Sequence, residues 1–143
     1  MRRFLMGLAL AMALALTHAP CGADGGAMKV SLKVGDKVLT ATLIDSATAR
    51  DFLSLLPLTL NLKDYAGTEK IGDLPKKLST EGAPPGSDPS AGDIAYYAPW
   101  GNLAIFYKDF GYSRGLVILG KIDGGIEIFH VPDSVRVTIE LCK

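Results

Sequence analysis

The chain has 143 residues, and its 15 basic and 15 acidic side chains give a formal net charge of zero at pH 7. This length corresponds to one domain, and a chain without a basic run lacks the phosphate-neutralising surface of a nucleic-acid binder. The same charge balance argues against recruitment to an anionic membrane surface.

Residues 1–23 have the pattern of a secretory signal peptide. Arg2 and Arg3 form a charged start, an apolar run covers residues 4–16, and Ala23 ends a stretch of small residues suited to cleavage. The apolar run is shorter than the roughly 20 residues that a membrane-spanning helix needs. We therefore expect a secreted or periplasmic protein that leaves the membrane after cleavage, with a short linker at 24–27 and a folded domain at 28–143.

Cys21 and Cys142 are the two cysteines of the chain. A lipoprotein anchored through Cys21 is the less favoured alternative, because His-Ala-Pro at 18–20 does not match a Leu-small-small lipobox. Cleavage after Ala19 would keep both cysteines and permit a disulfide between them, but it would place Pro20 directly after the cut. We therefore expect a fold without a structural disulfide.

Alternation of apolar and polar residues predicts strands at both ends of the domain. Residues 29–34 and 38–44 alternate on either side of a Gly35-Asp36 turn, which predicts a hairpin. Residues 135–141 alternate in the same way, so these strands are each expected to have one solvent-exposed face. The period changes to that of a helix between Asp45 and Pro57, with Asp45 or Ser46 as the N-cap and Pro57 as the stop.

Further strands are predicted at 58–63, 94–97, 103–107 and 116–122, followed by a Gly124-Gly125 turn and an apolar segment at 126–131. A Pro- and Gly-rich segment from Gly72 to Gly92 separates the first of these strands from the second. Its length is typical of a binding loop, an Ω-loop or a flap. Seven or eight short strands with one or two helices predict a mainly β fold that closes into a barrel, because closure removes exposed sheet edges.

Four strings in the chain resemble the bacterial cyclophilin-like fold family. They are TARDF at 48–52, LLP at 55–57, GDIAYYAPWGNLAIFYKDF at 92–110 and LGKIDGGI at 119–126. The resemblance extends from Met28 to Cys142. It implies a closed antiparallel eight-stranded barrel with one or two short helices, and it implies little about function.

True cyclophilins are peptidyl-prolyl isomerases that use an arginine beside an apolar proline pocket. The strings that surround this arginine, Phe-His-Arg and Phe-Met-x-Gly-Gly-Asp, do not occur in the chain. Arg50 is expected on a helix and Arg114 in a turn, so no catalytic residue is predicted. Beyond residue 23 the sequence has one histidine, His130, in an apolar strand context, and we predict neither a metal site nor a cofactor.

Aromatic side chains are concentrated in one part of the sequence: Tyr96, Tyr97, Trp100, Phe106, Tyr107, Phe110 and Tyr112. Successive strand residues point to opposite faces, so the barrel cannot enclose all of these rings. One interpretation is that the rings seal the barrel ends. The other is that Tyr97, Trp100 and Tyr112, with Arg50 and Glu69 as charged anchors, line a ligand or peptide groove beneath the segment from 72 to 92.

The sequence thus predicts a binding module for a small molecule or an extended peptide. The alternative is an enzyme of unidentified type, such as a weak peptidyl-prolyl isomerase, and the third hypothesis is a purely structural partner of another protein.

Overall fold

The computed structural model describes residues 28–143, which form a closed barrel of eight antiparallel strands. The predicted signal peptide, its cleavage site and Cys21 lie outside these residues. The strands in chain order are β1 (Met28–Val34), β2 (Lys37–Leu43), β3 (Leu58–Tyr65), β4 (Glu69–Asp73), β5 (Gly86–Ser87), β6 (Asp93–Tyr97), β7 (Asn102–Phe106), β8 (Ser113–Arg114), β9 (Leu116–Ile122) and β10 (Val135–Leu141). The predicted mainly β barrel is confirmed.

Around the barrel the strand order is β1-β10-β3-β4-β7-β6-β9-β2, and β2 pairs with β1 to close the ring. The short strands β5 and β8 form a separate two-stranded sheet. Where β9 meets β2, Gly120 lies opposite Leu43. A Cβ atom at Gly120 would lie 2.3 Å from the carbonyl oxygen of Thr42, so only glycine lets these two strands approach.

The single α-helix of residues 28–143, α1, covers Ala47–Leu53, which is shorter than the predicted helix to Pro57. Ser46 is the N-cap, and its Oγ accepts a hydrogen bond from the amide of Ala49 at 3.1 Å. At the other end the hydroxyl of Ser54 donates to the carbonyl of Asp51 at 2.6 Å. Such side-chain bonds to the backbone compete with helix continuation, so the helix ends before Leu55.

The apolar segment at 126–131 is a 3-10 helix over Ile126–Phe129 rather than a strand. Gly125 begins it in the left-handed region with φ of 84°. Phe129 is buried in the barrel core, while His130 follows the helix and is exposed. The strand context predicted for His130 is therefore wrong, because the short tight helix turns its one buried ring inward and releases the next residue to solvent.

Hydrogen bonds to side chains of α1 and β6 hold the Pro- and Gly-rich segment against the barrel. Asp51 of α1 accepts hydrogen bonds from Lys76 Nζ at 2.8 Å and from the amide of Ser79 at 2.7 Å. The amide of Leu78 donates to the hydroxyl of Tyr96 at 3.2 Å, and the Leu78 side chain is buried. The segment thus covers one end of the barrel, although its first two residues belong to β4 and two others form β5.

Residues on alternate faces of the strands form two separate apolar clusters. The larger cluster fills the barrel and includes Leu32, Ile94, Tyr96, Leu103, Ile105, Leu119 and Ile139. The smaller cluster lies on the outside of β6, β7 and β9 and consists of Ala95, Ala104, Phe106 and Leu116. As predicted, Tyr96 and Tyr97 point to opposite faces, with Tyr96 in the first cluster and Tyr97 packed against the second.

Cys142 is disulfide-bonded. The expectation of a fold without a structural disulfide is therefore wrong. That expectation depended on the cleavage position rather than on the fold, in which the amide of Cys142 donates to the carbonyl of Lys29 at the end of the β1–β10 pair. Among residues 28–143, no helix is long and apolar enough to cross a membrane.

Lys70 of β4 is a fully buried cation inside the barrel wall. Its ammonium group donates to Asp64 Oδ1 at 3.1 Å, to the carbonyl of Asp133 at 2.9 Å and to the carbonyl of Val131. Its three donors thus have three acceptors, and the ring of Tyr107 lies 5.7 Å from the nitrogen. The hydroxyl of Tyr107 also donates to Asp64, which lowers the pKa of that carboxyl.

We predict that Lys70→Met destabilises the protein by about 3–5 kcal/mol, because it removes the counter-charge of Asp64 and leaves the carbonyl oxygens of Val131 and Asp133 without their donor. The matched control is Lys33→Met, since Lys33 forms an exposed ion pair with Glu140 at 3.2 Å and should cost less than about 1 kcal/mol. Urea unfolding of both variants measures the difference. Equal losses in the two variants would contradict this account of Lys70.

Candidate functional site

A cavity of about 370 Å³ lies on the outer face of β4, β7, β6 and β9. The hairpin turn after β3, the turn between β6 and β7, and the segment that leads into β8 border it. Its lining is apolar and aromatic with a few polar groups: Tyr65, Ala66, Thr68, Glu69, Tyr97, Trp100, Phe106, Phe110, Ser113, Arg114 and Leu116. Such a composition is typical of small-molecule sites.

The strand register determines which side chains meet in the cavity. Glu69 lies opposite Tyr65 on one side and opposite Phe106 on the other. On β6, two strands away from β4, Tyr97 lies opposite Leu116 of β9. Directly opposite residues share a face of the sheet, so these side chains all project outward. Between the two rows lie two small, buried residues, Ala95 and Ala104.

Trp100 occupies the tight turn between β6 and β7 and reaches across to the β3–β4 hairpin. Its ring meets that of Tyr97 at a centroid distance of 5.2 Å and that of Tyr65 at 5.6 Å. Both contacts are edge-to-face, with interplanar angles of 83° and 81°. Gly101 completes the turn with φ of 69°, a conformation that L side chains rarely adopt.

Glu69 brings a carboxyl group into this aromatic lining. The Glu69 side chain is half-buried, and its carboxyl group has no hydrogen bond or ion pair with any residue of 28–143. Burial therefore raises the pKa of Glu69 from its ordinary 4.5 to about 7. Perturbed groups of this kind are concentrated at functional sites in proteins.

The segment before β9 supplies the other polar groups of the cavity. Arg114 and Ser113 lie on β8, and Phe110 precedes them in the same segment. Residues 111–115 read Gly-Tyr-Ser-Arg-Gly, which matches the spacing of a hydrolase nucleophile elbow. However, Ser113 lies on a short strand that is followed by β9 rather than by a helix, and its hydroxyl donates to the carbonyl of Gly111. The strand-turn-helix context of a nucleophile elbow is missing.

Of the five residues predicted for the site, three lie together in the cavity: Glu69, Tyr97 and Trp100. Arg50 does not line it, because Arg50 is exposed on α1 and pairs there with Asp45. Tyr112 is exposed, and its ring packs closely over Gly86 of β5. Tyr65 and Arg114 were missed, because their proximity depends on strand pairing across the sheet rather than on spacing in the chain.

The segment from 72 to 92 does not cover this cavity, since none of its residues belongs to the lining described above. A smaller cavity of about 190 Å³ lies beneath that segment, between residues 81–84 and the start of α1. A third, shallow one of about 250 Å³ lies at the barrel end beside Asp64, Tyr107 and His130. Within residues 28–143, no group of His, Cys, Asp and Glu side chains has the arrangement of a metal site.

We predict that Glu69→Gln stabilises the protein more at pH 8 than at pH 5. The pKa of Glu69 is about 7 in the folded state and lies above the ordinary 4.5. Between pH 4.5 and pH 7 the folded state therefore binds more protons than the unfolded state. The stability of the wild-type protein falls as the pH rises through this range. Glu69→Gln has no such loss of stability, because its side chain does not ionise. Melting temperatures of the variant and the wild type at pH 5, 6, 7 and 8 measure the difference in stability, with the exposed Glu127→Gln as the matched control. A pH-independent difference for Glu69→Gln would contradict the account.

Comparison with known proteins places the chain in a family. Residues 32–140 match the model of the cyclophilin-like family. The solution structure of the hypothetical protein AF2241 from Archaeoglobus fulgidus has the same fold, with a TM-score of 0.57 and 17% identity, and covers 83% of this chain and 98% of its own. No curated protein matches. The chain therefore belongs to the cyclophilin-like family.

Proposed function

We propose that the protein is a secreted or periplasmic binding module whose outer cavity takes a small molecule or an extended peptide. The observation that carries this proposal is the group of large aromatic side chains exposed around one cavity. Three of these side chains are substantially exposed to solvent: Tyr65 is 43% exposed, Trp100 56% and Phe110 52%. Exposed apolar clusters of this kind mark binding sites on soluble proteins.

The composition of the cavity supports binding rather than bond-breaking chemistry. Its polar groups are few: one carboxyl group, one guanidinium, the phenol groups of Tyr65 and Tyr97, and two aliphatic hydroxyl groups, those of Thr68 and Ser113. Neither aliphatic hydroxyl group has a neighbouring base among the hydrogen bonds of the described residues, because each donates to a backbone carbonyl. Apolar walls with a few polar groups fix the orientation of a ligand without activating a nucleophile.

The intrinsic fluorescence of Trp100 tests the proposal, because Trp100 is the single tryptophan of the chain. Binding in the cavity is expected to shift the emission to shorter wavelength, since a ligand removes water from a ring that is 56% exposed. A screen of small molecules and peptides should give saturable shifts that Phe110→Ala weakens, while Val38→Ala, on an exposed residue elsewhere, leaves them unchanged. An invariant spectrum across a broad screen would contradict the binding function.

An isomerase remains the second candidate, and the position of Arg114 favours it. Arg114 lies beside the apolar walls of Phe106, Phe110 and Leu116, so an arginine and an apolar pocket are adjacent on the outer face of the barrel. If this arrangement accelerates prolyl isomerisation, Arg114→Ala should abolish the acceleration in a peptide assay. Arg50→Ala, on α1, is the matched control and should retain it. Acceleration by wild type that both variants keep would argue against this site as its source.

A further inference from the structure

The aromatic rings of the cavity are arranged around one side chain, Trp100. Its ring meets Tyr65 and Tyr97 at nearly right angles, and all three rings line the same space. Rings at right angles form a corner rather than a stack. Ring faces carry the negative part of the aromatic quadrupole, and corners of aromatic rings are used in proteins to bind ammonium groups.

Glu69 brings a carboxyl group to the Tyr65 side of this corner. The two residues are directly opposite each other in the β3–β4 pair, which places their Cβ atoms about 4.5–5.5 Å apart on the same face. Glu69 has no counter-ion among residues 28–143. A ligand that carries a positive charge would supply the partner that the protein does not.

The other charged groups leave this side of the cavity free for a cation. Lys70, the next residue along β4, points into the barrel, where three oxygen acceptors satisfy it. Arg114 also lines the cavity, but it lies on β8 in the separate two-stranded sheet and forms no ion pair with Glu69. Burial, Asp64 and the charge of Glu69 raise the pKa of Tyr107 to about 12, so its phenol group is neutral.

We infer that the cavity binds a small organic cation, whose ammonium group lies in the corner formed by the rings of Tyr65 and Trp100 and pairs with the carboxylate of Glu69. This inference rests on the proposed binding function and specifies the chemical class of the ligand. Arg114 on the opposite flank disfavours a second positive charge there, so the rest of the ligand is neutral or bears an acceptor for the guanidinium.

Binding of such a cation depends on pH. Burial holds the pKa of Glu69 at about 7 in the empty cavity, so the group is partly protonated near neutral pH. An ammonium group favours the ionised carboxylate and lowers its pKa. Affinity should therefore rise by about ten-fold between pH 6 and pH 8, as the fraction of ionised Glu69 rises. Tyr65, Tyr97 and Arg114 are the other titratable groups of the lining.

Three probes of one shape test the inference: choline, its neutral carbon isostere 3,3-dimethylbutan-1-ol, and the anion 3,3-dimethylbutanoate. Binding is followed by Trp100 fluorescence and by NMR of the indole N–H at pH 6 and pH 8. Choline is expected to bind about ten-fold more tightly than the alcohol at pH 8, because only the cation gains the ring faces and the carboxylate. Glu69→Gln should remove this preference and its pH dependence, whereas Glu127→Gln should leave both unchanged.

Arg114→Gln is expected to strengthen choline binding, because it removes a positive charge from the cavity. Glu69→Gln and Arg114→Gln should therefore change the affinity for choline in opposite directions. Thermal unfolding of each variant verifies that it is folded, and Tyr65→Leu is a second variant expected to weaken choline binding. Equal affinity for choline and the alcohol, or a preference for the anion that Arg114→Gln abolishes, would overturn the cation inference while leaving the binding function in place. Failure of all three probes to perturb Trp100 would overturn the inference as well.

Discussion

The ammonium group of Lys70 is the constraint on which the arrangement of the site depends. It is fully buried, and its three acceptors come from β3 and from the segment that follows the 3-10 helix. A buried cation with three matched acceptors tolerates no other register, because a one-residue slip would turn it outward and bring Glu69 into the barrel. The position of Lys70 therefore places Glu69 on the outer face.

The two neighbouring charges of β4 illustrate how strand alternation separates structure from function. Lys70 has every donor satisfied and links β4 to the end of the barrel. Glu69 projects to the other side, into a cavity where burial raises its pKa and where no described residue neutralises it. A charge that stabilises nothing in the fold is available for a ligand, and this is the physical basis of the binding function proposed for the cavity.

The cavity exists because the outer face of this part of the barrel is covered at its edges and not over its centre. β6 and β7 are buried on both faces, since the barrel core lies on one side and Ala95, Ala104, Phe106 and Leu116 pack together on the other. Phe106 and Leu116 line the cavity from the sheet, while Trp100 and Phe110 are exposed at its border. The result is a partly desolvated space, in which charge and ring contacts are stronger than in water.

Much of the fold could be predicted from the sequence, because alternation is clear in β1, β2 and β10, where one face is apolar and the other is wet. β4 was missed because its buried inward residue is Lys70, and a charged residue breaks the apolar pattern by which strands are recognised. Glu69, Tyr97 and Trp100 could be selected by residue type. Tyr65 and Arg114 could not, because strand pairing and the path of β8 bring them to the cavity.

The pKa of the Glu69 carboxyl group, measured by NMR titration of the side-chain carboxyl carbon, tests the central claim most directly. The claim is that this carboxyl group is partly desolvated and has no partner in the free protein. It predicts a pKa of about 7 without ligand and a lower value once a cation occupies the cavity. A pKa near 4.5 in the free protein would mean that water or another group already satisfies Glu69, and it would contradict the account.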